Sequence, residues 1–163
     1  MKIFGIAGYK NTGKTGLMER LVTEFTNRGH SISTLKHAHH RFDVDHQGKD
    51  SHRHRVAGAS QVLLSSGTRW ALMSELRGAT EPTLDDLLGR MDPVDLILIE
   101  GYKSSPHPKI ETHRAEAGTQ LLAPDDPTIL AVAANCTVQT QQPVIDLDDT
   151  ETIADFIARQ VGL

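Results

Sequence analysis

The sequence predicts an α/β fold with a mostly parallel β-sheet flanked by helices, and three observations predict it. Strand-length runs at Lys2–Ala7, Leu96–Ile99 and Ile129–Ala134 alternate with segments of helical periodicity. The run Val94–Gly101 is apolar from Leu96 to Ile99, as in a strand buried on both faces of a parallel sheet. Between the first strand and the first helix stands Gly8-Tyr9-Lys10-Asn11-Thr12-Gly13-Lys14-Thr15, which matches G-x-x-x-x-G-K-[ST], the phosphate-binding loop of P-loop NTPases.

Each element has its own justification. After the loop, Leu17, Met18, Leu21, Val22 and Phe25 recur at helical spacing, and Gly29 sits where a helix-terminating glycine belongs. Ser31–Lys36 reads as a second strand, and Ser51–Ala59 as a short helix. Gln61–Ser65 and Thr68–Ser74 read as two strands joined near Ser66-Gly67, a hairpin region at about 60–75. Thr83–Met91 is an amphipathic helix whose start is marked by Pro82. Lys109–Arg114 reads as an edge or extension strand. Ile129–Ala134 is a core strand, Val144–Leu147 a brief one, and Thr150–Val161 a closing amphipathic helix that packs Ile153, Phe156, Ile157 and Val161.

Composition bounds the rest. The chain has 163 residues, enough for one domain with a real core, and no linker or repeat divides it. A net charge of −4 gives no general basic field for nucleic acid. The longest apolar runs are far shorter than the roughly 20 residues that span a bilayer, and Lys10 interrupts any signal-peptide segment. Cys136 is the single cysteine, so no intrachain disulfide is possible and a reducing, cytoplasmic setting is expected.

The loop defines a nucleotide site. Gly8 and Gly13 permit the backbone angles that let successive N–H groups curl around phosphates at a helix N-terminus. Lys14 is expected at the β- and γ-phosphates and the Thr15 hydroxyl on Mg²⁺. A second acid near the metal has two sources. Glu100 ends the apolar strand and lies beside the loop if the strands are neighbours. Asp43 and Asp45 share one side of an extended segment, as ligands or proton acceptors; the alternative is a solvated loop paired with Arg41, Lys49 or Arg53. Asp95, at the opposite end of the apolar strand, is expected to solvate its start. Lys36–Arg55 also holds six of the nine histidines, for which metal ligation, phosphate contact and plain surface roles are all open.

The run from Lys36-His37 through Asp45, Gly48-Lys49-Asp50-Ser51, Arg53-His54-Arg55 and Ala57-Gly58-Ala59 resembles the signature of the molybdopterin-guanine dinucleotide biosynthesis adaptor family, MobB. The Gly8–Thr15 loop and Ile99-Glu100-Gly101-Tyr102-Lys103 fit the same family, and the likeness runs from residue 1 to about 114. The resemblance implies a homodimeric GTP-binding protein with weak GTPase activity. Such a protein assists the guanylyltransferase that attaches GMP to molybdopterin. It places GTP with Mg²⁺ on Gly8, Asn11, Thr12, Gly13, Lys14 and Thr15. It also makes Lys36–Arg55 and Glu100-Gly101 parts of the active region. On this basis Lys14, Glu100 and Asp45 are the catalytic candidates, with Thr15, Glu100 and Asp45 around the metal. Lys10, Gly16, His37, Asp50, Arg53 and Gly101 join the nucleotide-contacting set. Lys10 is offset from the lysine that reaches across the dimer in related GTPases, so that role is not assigned to it. A guanine-reading N-K-x-D sequence is absent, and Asn135-Cys136 is its nearest positional counterpart. Hydrolysis is expected to be slow, because no arginine finger or water-positioning glutamine stands out. A small-molecule kinase using Asp43 and Asp45, and a nickel or zinc metallochaperone, are the alternatives.

Overall fold

The computed structural model describes residues 1–38 and 42–163. In chain order the first elements are β1 (Lys2–Ala7), α1 (Lys14–Asn27), β2 (Ile32–Lys36), α2 (Asp50–Val56), β3 (Gln61–Ser65) and β4 (Trp70–Ser74). They continue with α3 (Leu84–Leu88), β5 (Leu96–Glu100), β6 (Lys109–His113), β7 (Ile129–Ala134), β8 (Val144–Asp146) and α4 (Thr150–Val161). These group into two compact units, Met1–His37 with Met91–Leu163, and Ala38–Arg90.

The larger unit is built on six strands in the order β2-β5-β1-β6-β7-β8. Every neighbouring pair is parallel. The expected parallel α/β architecture is therefore present, with the glycine loop leaving a central strand. Alternation along β1 sends Phe4 and Ile6 to one face, where they meet Leu17, Leu21 and Phe25 of α1 and Ile153, Phe156 and Ile157 of α4. Burying each such side chain stabilises the fold by about 1.5–3 kcal/mol relative to leaving it in water. The Asp149 carboxylate caps α4 by accepting from the Thr152 N–H at 3.0 Å. Asp95 lies just before β5 and accepts from the Ser31 N–H at 2.8 Å and its hydroxyl at 2.7 Å, which ties the starts of β2 and β5 together.

The expected edge strand is an internal one. β6 lies between β1 and β7 and is buried along its whole length, Lys109, Glu111 and His113 included. Its charges are met locally. The Lys109 ammonium donates to the Ser105 carbonyl at 2.6 Å and to the Thr128 hydroxyl, and stands 3.6 Å from Asp126. The Glu111 carboxylate accepts from the Leu122 and Ala123 N–H groups at 2.8–2.9 Å. Burial pushes the Lys109 pKa down and that of Glu111 up. Just before β6, His107 packs over Gly5 of β1, where a Cβ would come within 2.5 Å of Nε2. That ring is 5% exposed and neither nitrogen has a hydrogen-bond partner.

In the smaller unit β3 and β4 form an antiparallel pair registered from Gln61–Ser74 to Ser65–Trp70. The turn falls at Ser66–Arg69, so β4 starts two residues later than its sequence suggests. The helix expected at Thr83–Met91 is shorter, Leu84–Leu88, because Thr83 serves as its N-cap in a capping box with Asp86 and Gly89 is its C-cap. Asp43 and Asp45 are indeed engaged by a base, but the base is Arg55 of α2, at 2.7 and 2.8 Å. The same guanidinium reaches Glu75 at 3.2 Å. Large apolar side chains of the hairpin, Leu63, Leu64, Trp70 and Leu72, are exposed.

Candidate functional site

The site is built where β1 ends. Gly8 has φ +140°, and an added Cβ would stand 2.7 Å from the Thr112 carbonyl oxygen, so no larger residue turns the chain here. Asn11 follows in the left-handed region at φ 65°, and Gly13 at φ 97° begins α1. Whereas α3 and α4 are capped by their own side chains, α1 has no side-chain cap and no acid in its first turn. Its first N–H groups and the positive end of its dipole are thereby left for an anion.

One side chain locks the loop to its neighbouring strand. Thr12, 1% exposed, donates through its hydroxyl to the Tyr9 carbonyl at 2.8 Å and meets the Thr112 hydroxyl of β6 at 2.8 Å. Replacing Thr12 with valine keeps the shape and removes both bonds, while the Tyr9 carbonyl keeps the Lys14 ammonium as a donor and the Thr112 hydroxyl keeps the Ala7 carbonyl at 3.2 Å as an acceptor. The expected loss is about 1 kcal/mol or somewhat more. In a thermal melt this appears as a drop of roughly 2–4 °C, with Thr12→Ser close to the parent protein.

The Lys14 ammonium donates to the Tyr9 carbonyl. Partial burial pushes its pKa down; Glu100 opposes this, while Lys103 and Lys36 add to it. Glu100 ends β5 and is paired with Ile6 of β1 on one side and Lys36 of β2 on the other. Its carboxylate lies 3.3 Å from the Lys36 ammonium and is mostly buried. The next residues keep this corner tight: the His37 N–H donates to the Glu100 carbonyl at 2.9 Å, and the His37 ring packs on Tyr102 at 4.7 Å. Gly101 leaves room for them, since a Cβ there would come 2.8 Å from that of His37. Lys103 lies over the Tyr9 ring at 4.5 Å.

A cavity of about 510 Å³ opens on the loop, lined by Asn11, Gly13, Lys14, Thr15, Gly16 and Arg114. Thr15 stands exposed in the first turn of α1, with its hydroxyl oxygen a hard donor suited to Mg²⁺, as is the Glu100 carboxylate. Lys10 is exposed. Of the remaining sequence candidates, Asp45, Asp50 and Arg53 belong to the smaller unit. Asp45 is held by Arg55, which lowers its pKa, and Asp50 and Arg53 form an exposed pair at 4.0 Å. His39, His40 and Arg41 lie outside the described residues. Among the described residues no group of three or more His, Cys, Asp or Glu side chains converges as a metal cluster. Asn135 holds the 3-10 turn Ala115–Ala117, accepting from the Ala115 N–H at 3.1 Å and donating to the Glu116 carboxylate. Thr112 and Arg114 belong to the site without any motif in the sequence to mark them. The available signal is that a basic residue, Arg114, directly follows β6, as the acidic Glu100 ends β5.

A family model described as "Molybdopterin guanine dinucleotide synthesis protein B" matches residues 3–135. The chain is 42% identical over 157 residues to the molybdopterin-guanine dinucleotide biosynthesis adapter protein of Haemophilus influenzae, covering 95% of this chain and 86% of the relative. It is 38% identical over 160 residues to the protein of that name in Escherichia coli, covering 95% and 90%. Among solved structures, a MobB protein homolog from Bacillus stearothermophilus superposes with a TM-score of 0.70 at 28% identity over 99% of both chains. Bacillus subtilis MobB superposes with a TM-score of 0.76 at 24% identity, over 99% of this chain and 98% of its own. With a family model matching residues 3–135 and relatives at 42% and 38% identity covered over 86% and 90% of their length, the chain belongs to the molybdopterin guanine dinucleotide synthesis protein B family.

Proposed function

We propose that this protein is a GTP-binding accessory factor with weak GTPase activity. In this reading it assists the guanylyltransferase that joins GMP to molybdopterin. The observation that carries the reading is the uncapped glycine loop, with Lys14 and Thr15 at its helix end, in a member of this family. The N–H groups of the loop and of the first turn of α1 receive the phosphate oxygens. Lys14 exchanges the Tyr9 carbonyl for the β- and γ-phosphates. Thr15, with Glu100 through a water, is the proposed holder of Mg²⁺. When bound, that ion neutralises charge on the β- and γ-oxygens. Glu100 also orients the attacking water, its carboxylate held 3.3 Å from the Lys36 ammonium. The larger part of the reading is the company the protein keeps: relatives are named adapters, which supports a partner enzyme over free turnover.

The chain is read as one P-loop domain carrying an inserted hairpin region, working in the cytoplasm as a homodimer. The exposed Leu63, Leu64, Trp70 and Leu72 of the hairpin support pairing, because so much apolar surface on one small element favours being covered. Molybdopterin is included among the proposed partners. Calorimetric titration of the metal-stripped protein with GTP and, in parallel, ATP, each with Mg²⁺, tests the nucleotide reading. GTP is expected to bind clearly and ATP weakly. Equal or tighter binding of ATP would replace the GTPase assignment with that of a small-molecule kinase.

A further inference from the structure

The cavity on the glycine loop has a second cation that no motif supplies. Sheet order puts β1 between β5 and β6, so the loop leaving β1 is flanked by the ends of both strands. On the β5 side stand Glu100, Lys36 and Lys103, the groups that act on the Lys14 ammonium. On the β6 side stands Arg114, the residue after the strand. Its guanidinium lies directly against the loop backbone, for a Cβ on Gly13 would come within 2.9 Å of Arg114 Nε. It also lines the cavity together with Thr15 and Gly16, in the first turn of α1.

Two features fix Arg114 without using it up. The Thr12–Thr112 contact joins the loop to β6 two residues before Arg114, so strand and loop move together. The guanidinium's described ion-pair partner is Asp148, 3.8 Å away, beyond hydrogen-bonding reach. That carboxylate is exposed and is also 3.9 Å from Arg20. A loose, solvated and shared anion competes weakly with a phosphate, to which arginine presents a planar fork of donors.

From this geometry we infer that Arg114 is an internal phosphate clamp, binding the α- and β-phosphates of the nucleotide from the side opposite Lys14. The inference rests on the proposed nucleotide reading of the loop and adds a residue to it. Because its contacts are to phosphates present in both GTP and GDP, Arg114 contributes to binding either one. It is distinct from an arginine finger, which would act on the γ-phosphoryl group and on the rate.

The test is titration of the parent protein, Arg114→Ala, Arg114→Lys and Lys14→Ala with Mg²⁺-GTP and Mg²⁺-GDP, after circular dichroism has shown each to be folded. Arg114→Ala is expected to weaken GTP and GDP alike by about tenfold or more, the scale of one charge-assisted bond to phosphate. Arg114→Lys is expected to recover part of that loss. If Arg114→Ala does not fold, Arg114→Gln, which keeps a polar side chain of moderate length against Gly13, takes its place with the same expectation. Affinities within twofold of the parent for both nucleotides, beside a clear loss in Lys14→Ala, would overturn the clamp and leave the loop assignment standing. A loss confined to GTP would overturn the α/β-phosphate assignment. A parent protein that binds neither nucleotide would overturn the nucleotide reading itself.

Discussion

Lys14→Ala is expected to weaken GTP binding at least about a hundredfold while the protein keeps its fold. The fold should survive because the described hydrogen bond of the Lys14 side chain is to the Tyr9 carbonyl, on a loop already held by Thr12 and the glycines. Affinity should collapse because the ammonium sits at a partly desolvated helix end, where a charge facing two phosphates is poorly replaced by water. A hundredfold is about 2.7 kcal/mol, within the range of losing more than one charge-assisted bond. Titration with GTP reads the affinity and a thermal melt reads the fold. Retention of binding within a few-fold would remove the phosphate-binding role from this loop.

The second large effect is on stability and comes from a residue remote from phosphate chemistry. Burial, with the Lys109 ammonium adding to it and Asp126 opposing, pushes the pKa of His107 down to about 4 from an ordinary 6.5. Between those values the unfolded chain binds a proton that the folded one refuses. Stability therefore rises with pH across that window and is lost as pH falls from about 6.5 towards 4. At pH 5 the loss is about 2 kcal/mol, or a melting temperature lower by roughly 4–8 °C than at pH 7. Because neither ring nitrogen has a partner, His107→Leu gives up no hydrogen bond. Its melting temperature is expected to be flatter between pH 7 and pH 5. An unchanged slope in that variant would locate the acid sensitivity elsewhere. The carboxylates with lowered pKa values, such as Asp126 and Asp149, lose their contribution in a lower window.

What could be read from sequence was local. The Gly8–Thr15 loop, β1 and α4 lie where their residues placed them, because backbone conformation and apolar period are set within a few positions. What escaped was set by distant partners. Lys109-Ile110-Glu111-Thr112-His113 alternates like a strand with one wet face, yet it is internal. The amides of Leu122 and Ala123 and the side chains of Asp126 and Thr128 satisfy its charges, and they come from an irregular stretch that carries no periodic signal. Asp45 has Arg41, Lys49 and Arg53 near it in sequence, yet its partner is Arg55, ten residues on across the start of a helix. Arg114 gave no motif at all; only the neighbouring of β6 and β1 brings it to the loop.

The place of β1 between β5 and β6 also sets an order of events as the chain is made. Its partners, Glu100 and Ile110 for the single residue Ile6, lie roughly a hundred residues downstream. A nascent chain on the ribosome therefore carries the complete Gly8–Thr15 motif long before it has a sheet on which to mount it. The strand that anchors the motif waits, unpaired and apolar, for most of translation. A fragment ending before residue 96 would retain every residue of the motif and lack the platform that aims them.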